Sequence, residues 1–441
     1  MNIKENTNQV LLYALLIFYS LAALFTRSFV GIYMFGIRLG ELIVLGSLLT
    51  FIIWTLLLFK QKNKYNDNFL YFNVSLVLLF LFSLYLTGGS LTSTYTFKTS
   101  SYIWSLGYFY IGTIFAKKLD VSKKIILFST LIPVIQYLMS TGRYPNFIIQ
   151  FFIDYSDKFQ FLKGADVMLN LITVLTLLQI FKFNKIFEVS YSFLIIALLS
   201  PMLLYQSRSA FIPLVIYLIS YIIFNQKYLR RNYFKTLFLL VISCFIFILS
   251  SYNVYGNFKF QKVQKIFTLE EDVTVVITDL VEHKKTAQVF LSFYFDEGRI
   301  KSKDPTTNWR LDIWQDVAID MKEEALFLSG YGYNSIIPAM TDPTAPGRFG
   351  RDGLNEHVHS YYVTIFARGG ILQFIVMMFY YLNIYRNLNL NNHKMKMFMY
   401  LFPIAMHVSF DISMEGVQFP MIFLTFLGYY YTKLKLVEDK L

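Results

Sequence analysis

The chain alternates long apolar stretches with short polar ones, most of them basic, and this pattern predicts helices that cross a bilayer. Apolar runs occupy residues 9–25, 39–59, 69–87, 101–116, 125–140, 161–181, 189–205, 209–224, 234–252, 359–385, 397–411 and 417–431. Roughly 20 residues of helix cross a hydrocarbon core, so these runs predict about 12 spans. Leucine, isoleucine and phenylalanine fill them nearly all round, where an amphipathic soluble helix would keep a polar face. No small-residue cleavage site follows a basic stretch at the first run, which reads as a retained helix. The predicted fold class is all-α, a polytopic transmembrane helical bundle.

One segment, residues 253–358, is too polar to span, and it separates the ninth run from the tenth. The predicted organisation is an N-terminal transmembrane bundle over 1–252 (about nine spans), a large loop over 253–358, and C-terminal transmembrane helices over 359–441 (about three spans). Loops this long between spans are usually functional or fold as small subdomains. Asp304-Pro305-Thr306-Thr307-Asn308 is a helix-start signal, residues 309–327 read as an amphipathic helix, and Gly330 offers its stop. A turn-rich stretch follows through Pro338, Pro343, Pro346 and Gly347. Earlier in the loop, residues 273–295 predict a helix lying on the bilayer surface.

Composition agrees with the pattern: 56% of residues are hydrophobic and 15% charged, against about 25% charged in ordinary soluble domains. The net charge of +12 does not imply nucleic acid. With the N-terminus inside, the cytoplasmic segments hold 20 lysines and arginines and the opposite short loops hold 7, as the positive-inside rule requires. Both termini are then cytoplasmic and the large loop lies outside. That loop carries 16 of the 28 acids and 12 of the 40 bases. A single cysteine, Cys244, can form neither an internal disulfide nor a Cys-based metal site, and reads as a small packed hydrophobe.

The polar residues able to carry chemistry gather at predicted outer ends of spans. Arg208 sits in a turn of few residues between two apolar runs, where a guanidinium calls for an anion; reaching to lipid phosphate would also satisfy it. Arg310 opens the loop helix, with Asp312 and Asp316 as potential local partners. His359 stands where the loop enters the tenth span, and an imidazole there can act as general base or simply cap the helix. His357 and His359 lack the i, i+4 spacing and the carboxylate of a helical metal site, so no metal is expected. Arg38 and Glu41 can pair along one helix face. Asp166, Asp411 and Glu415 also lie toward the outside, where solvated turns or intramembrane hydrogen bonds account for them.

In order along the chain, Arg38-Leu39-Gly40-Glu41, Ser207-Arg208-Ser209-Ala210-Phe211-Ile212, Trp309-Arg310-Leu311-Asp312-Ile313-Trp314, Gly330-Tyr331-Gly332 and His359-Ser360-Tyr361-Tyr362 with Gly369-Gly370 make the chain resemble the O-antigen ligase and O-antigen polymerase family of bacterial polysaccharide assembly. Arg208 and Ile212 match the family's arginine motif, and His359, Ser360 and Gly370 its histidine motif. Gln373 stands where that motif expects Gly, Thr or Tyr.

The resemblance implies an inverting, metal-independent glycosyltransferase that needs no cofactor. Its donor would be a glycan on undecaprenyl diphosphate and its acceptor a sugar hydroxyl. His359 would be the catalytic base. Arg208 and Arg310, with Arg38 as a third, would bind the diphosphate. His357, Glu41 and Tyr362 are candidates to support them or meet the acceptor. The implied setting is the bacterial inner membrane, with the active site facing the periplasm or exterior. A chain-length regulator and a flippase of the same pathway are candidate partners. The departure at Gln373 and the long loop favour a polymerase of O-antigen or capsule over a ligase acting on lipid A–core or another anchor. A flippase of lipid-linked oligosaccharide is the competing class, but it would place charge along a midplane cavity between pseudo-symmetric halves. A further alternative is an inactive partner in a polysaccharide assembly complex.

Overall fold

A computed structural model describes residues 3–60, 68–119, 121–181, 183–255, 292–343, 345, 348 and 356–440. The chain is an all-α polytopic membrane protein, with two short two-stranded ribbons as its sheet among the described residues. Eight described helical segments are long and apolar enough to cross a membrane. The predicted runs at 101–116, 161–181, 397–411 and 417–431 also fall on helices, but these are shorter, broken or more polar than the eight.

Two compact units emerge. The first comprises Met1–Ser75, Ser101–Phe260 and Met377–Leu441. It contains α1 (Ile3–Val30), the ribbon β1 (Tyr33–Met34) and β2 (Ile37–Arg38), α2 (Leu39–Lys60) and the start of α3 (Phe69–Leu86). Its middle segment runs through α5 (Ser101–Trp104), α6 (Leu106–Lys118), α7 (Lys123–Ser129), α8 (Leu131–Ser140), α9 (Asn146–Tyr155), α10 (Gly164–Ile180), α11 (Lys185–Gln206), α12 (Arg208–Arg231) and α13 (Tyr233–Tyr255). It closes with the later part of α15 (Tyr361–Arg386), then α16 (Asn391–Val408) and α17 (Gln418–Glu438).

Its core is α10, buried on nearly every face, and α17, which packs on α6. A Cβ on Gly112 of α6 would stand 1.8 Å from the Thr425 carbonyl, and one on Gly428 of α17 would stand 1.9 Å from that of Phe109. Small residues let membrane helices approach to backbone contact, where packing must replace the hydrophobic drive. By contrast, α2 shows Leu42, Leu45, Leu49, Ile52, Ile53 and Leu56 on its exposed surface, as a lipid-facing helix should. Cys244 is exposed on α13, so the expected packed position is corrected: it belongs to the outer surface of this helix. Within α1 the backbone turns at Thr26 (φ 50°), and Asn170 and Gln136 donate to the Ala23 carbonyl at 2.8 and 2.9 Å, serving an acceptor beside the break.

The second unit comprises Leu76–Ser100 and Gln261–Val376. It holds the end of α3, α4 (Thr94–Thr99), the ribbon β3 (Phe293–Asp296) and β4 (Arg299–Ser302), α14 (Pro305–Glu323) and the start of α15. Of the surface helix expected over 273–295, residues 273–291 lie outside the described residues; Phe293–Phe295 form strand instead, paired with β4. The loop helix starts where its signal predicts, with Pro305 in its first turn. It stops earlier than expected, at Glu323, with Ala325 in the left-handed region and Leu326 N–H returning to the Met321 carbonyl. Ile313, Val317 and Met321, spaced four apart on α14, build a small core with Ile337, Met340, Val358 and Ala367.

The tenth predicted run is two helices rather than one. Gly370 (φ 70°) breaks α15, and a Cβ there would lie 2.2 Å from the Leu328 carbonyl. The chain before the break pairs with the loop: Tyr331 N–H donates to the Ala367 carbonyl at 2.8 Å and Gly332 N–H to that of Arg368 at 3.1 Å. Irregular backbone at such a place is tolerated because the protein itself satisfies it.

Candidate functional site

Within the first unit, several candidate polar side chains share one end. There the C-terminus of α1, the ribbon, the start of α2, the 156–163 connection, the start of α10 and the α11–α12 junction meet. Ser156 Oγ donates to the Ser28 carbonyl at 2.7 Å, and Ser28 Oγ to that of Gln160 at 3.0 Å. A Cβ on Gly164 would touch Gln206, Ser207 and Ala210, so α10 begins against the turn that carries Arg208.

Arg208 is the first residue of α12, half-buried, after Ser207 in extended backbone. Arg38 ends β2 and makes its firmest ion pair with Asp157 (2.6 Å), while Glu41 lies 3.7 Å away. The Arg38–Glu41 pair expected from spacing is therefore present but secondary. The same guanidinium also donates to Tyr33 Oη at 3.2 Å. Lys158 is half-buried beside these groups, and burial, then the Arg38 charge, pushes its amine below the ordinary lysine range. Asp166 is buried and hydrogen-bonds Gln418, with Lys163, Asp411 and Arg27 near enough to act on it electrostatically. This end thus offers several cations with carboxylates among them, a surface chemically suited to an anionic headgroup.

The second unit holds Arg310, His357, His359 and Tyr362. His359 has φ 54°, a left-handed conformation that non-glycine residues rarely adopt and that concentrates at functional positions. Two tryptophans of α14 flank it. The Trp309 ring stands edge-on to the imidazole, 5.0 Å between centroids, and Trp314 Nε1 donates to the carbonyl of Val358 at 2.6 Å. Ser360 caps α15: its Oγ accepts from Val363 N–H at 3.4 Å. The backbone of the histidine is thereby fixed on both sides.

Arg310 follows Trp309 on α14 and is half-buried. The acids expected to pair with it have other engagements: Asp316 takes Arg299 at 2.7 Å and also Arg348, and Asp312 accepts from Asn308 Nδ2 at 3.0 Å. Tyr331 lies against the α14 core, where burial, then Asp320 and Glu324, raises its hydroxyl pKa. His357 is half-buried, one residue before buried Val358, and Tyr362 stands in the first turn of α15 with its ring against Phe374. Gln373 is wholly buried, accepts from Tyr333 Oη and lies against Gly369.

The structure thus sets Trp309 beside His359, with Arg310 the next residue along α14, and pairs Arg38 with Glu41. The support of His359 by Trp309 and Trp314, and the place of buried His407, leave no signal along the sequence because each contact joins distant stretches of chain. Trp314→Phe tests the first of these. It keeps the ring but removes the N–H to the Val358 carbonyl, so it is expected to cost about 1 kcal/mol locally. Activity should fall by about fivefold at an unchanged membrane level; full activity would show that this bond does not orient His359.

No curated protein matches the chain. Comparison with known families matches residues 192–378 to the family described as O-antigen ligase, a stretch that includes Arg208, Arg310, His359 and Gly370. That stretch is similar to the O-antigen ligase family, and the match supports an O-antigen polymerase or ligase type of membrane protein in polysaccharide biosynthesis.

Proposed function

We propose that the protein is a surface-polysaccharide polymerase, of O-antigen or capsule, that transfers a growing glycan from undecaprenyl diphosphate to a sugar hydroxyl of another lipid-linked repeat unit. Gln373 carries the choice of polymerase over ligase. It departs from the ligase form of the histidine motif, and its buried amide is engaged by Tyr333 beside the Gly369-Gly370 break.

His359 accepts the proton of the acceptor hydroxyl as that oxygen attacks the anomeric carbon. The bond from the anomeric carbon to the phosphate oxygen breaks, its electron pair leaves with undecaprenyl diphosphate, and attack from the opposite face inverts the centre. Arg208 and Arg310, with Arg38 in a lesser part, meet the charge that grows on the diphosphate through planar, bidentate donors. The ester supplies the driving force, so the scheme uses neither a nucleotide nor a metal. His357, Glu41 and Tyr362 are assigned to supporting these groups or meeting the acceptor. The charge count along the chain supports both termini in the cytoplasm and a site at the outer face of the inner membrane, where the lipid tail can stay in the bilayer while the sugars project.

Deletion of the gene tests the assignment directly. The expected result is surface anchor bearing single repeat units only. Full-length chains retained on the lipid carrier would instead identify a ligase, and an unaltered surface glycan would sink both readings.

A further inference from the structure

We propose that His407 is a positioning residue for Arg208, holding the first turn of α12 through the carbonyl of Ser209. The inference rests on the reading of Arg208 as a diphosphate ligand.

Pro213 lies inside α12. In a regular helix the carbonyl of residue 209 accepts from the N–H of residue 213. Proline has no N–H, and its ring crowds that same carbonyl. The turn that begins with Arg208 therefore contains an acceptor that residue 213 cannot serve. His407, wholly buried near the end of α16, places Nδ1 2.8 Å from the Ser209 oxygen. A carbonyl can only accept, so Nδ1 carries the proton, and the contact fixes the tautomer of the ring.

The imidazole is itself held from several sides. Its Nε2 faces Ser413 Oγ at 3.2 Å and Asp411 Oδ1 at 3.7 Å. Ser413 gives its backbone N–H to Asp411 Oδ1 at 2.8 Å, and its hydroxyl bonds the same oxygen. The Phe419 ring at the start of α17 packs on the histidine, 5.6 Å between centroids. The residues between α16 and α17 thus fix the ring, and the ring fixes the turn of Arg208. Burying an imidazole needs such compensation, and Nδ1 has it in the Ser209 carbonyl. Free rotation of this turn would let a guanidinium drift by more than a hydrogen bond tolerates, and small misplacements of a charge-stabilising group are costly.

The test is binding of undecaprenyl diphosphate to the full chain in lipid nanodiscs, read by native mass spectrometry beside transfer activity. His407→Ala is expected to weaken binding about 10-fold. His407→Asn, whose amide can reach the place of Nδ1, should stay within about 3-fold of the natural chain. Pro213→Ala returns an N–H to residue 213, so His407→Ala should cost less than about 3-fold in that background. A role for His407 in packing alone predicts the same loss in both backgrounds, and that result would overturn the proposal, as would unchanged binding in His407→Ala. If His407→Ala does not accumulate in the membrane, the asparagine variant and the double variant still decide. Arg208→Lys, measured alongside, separates the two readings. Normal binding there removes the diphosphate assignment itself, whereas weak binding there with normal binding in His407→Ala removes only this inference.

Discussion

Replacing Arg208 by lysine is expected to lower glycan transfer by about 100-fold or more, with the protein still present at its normal level in the membrane. The substitution keeps one positive charge at the head of α12 but removes the planar fork. A diphosphate leaving group presents several oxygens at once, and a guanidinium can bond two of them where an ammonium acts as a point charge. The N-terminus of α12 adds its own orphan N–H groups and the positive end of its dipole to the same place, which lysine leaves intact. The loss therefore isolates the fork. Because the fork holds the diphosphate before the bond breaks and more strongly as charge grows on the leaving oxygen, the defect should appear both in KM for the lipid-linked donor and in kcat. Full-length surface glycan from Arg208→Lys at normal abundance would remove the assignment.

His359→Ala should lower kcat by about 10² to 10⁴, the range over which positioned general bases act. Backbone strain complicates that variant, since φ at this residue is 54°. Asparagine tolerates the left-handed region better than most residues, so His359→Asn keeps the backbone while removing the base. Equal losses in the two variants would point to proton transfer; recovery in the asparagine variant would make His359 a backbone element only. Sign follows from the chemistry: the base works as neutral imidazole, so natural activity should fall on the acid side as the ring protonates, and the residual activity of either variant should lack that limb. An acid limb that persists without His359 would assign it elsewhere.

The family match spans 192–378, and the residues singled out by motif order fall into it apart from Arg38 and Glu41. Those two sit instead in a ribbon and helix start braced by Asp157 and Tyr33, contacts that give Arg38 a structural role whatever else it does. Arg310 shows the opposite outcome. Its nearby acids looked like natural partners along the helix, yet Asp316 joins Arg299 and Arg348 to bind the loop together.

What the sequence by itself determined was the class of protein and the candidates for chemistry. Apolar runs of membrane length, basic short loops and one polar insert follow from composition along a line, and a bilayer reads them one segment at a time. The start of α14 was equally local, written in Asp304-Pro305. Tertiary structure decided the rest, because it depends on pairs far apart in the chain. The break at Gly370 answers to the Leu328 carbonyl, the posture of His359 to Trp309 and Trp314, and the need at Ser209 to His407. A hydrogen bond or a close backbone approach has two ends, and periodicity along one helix reports only the end it contains.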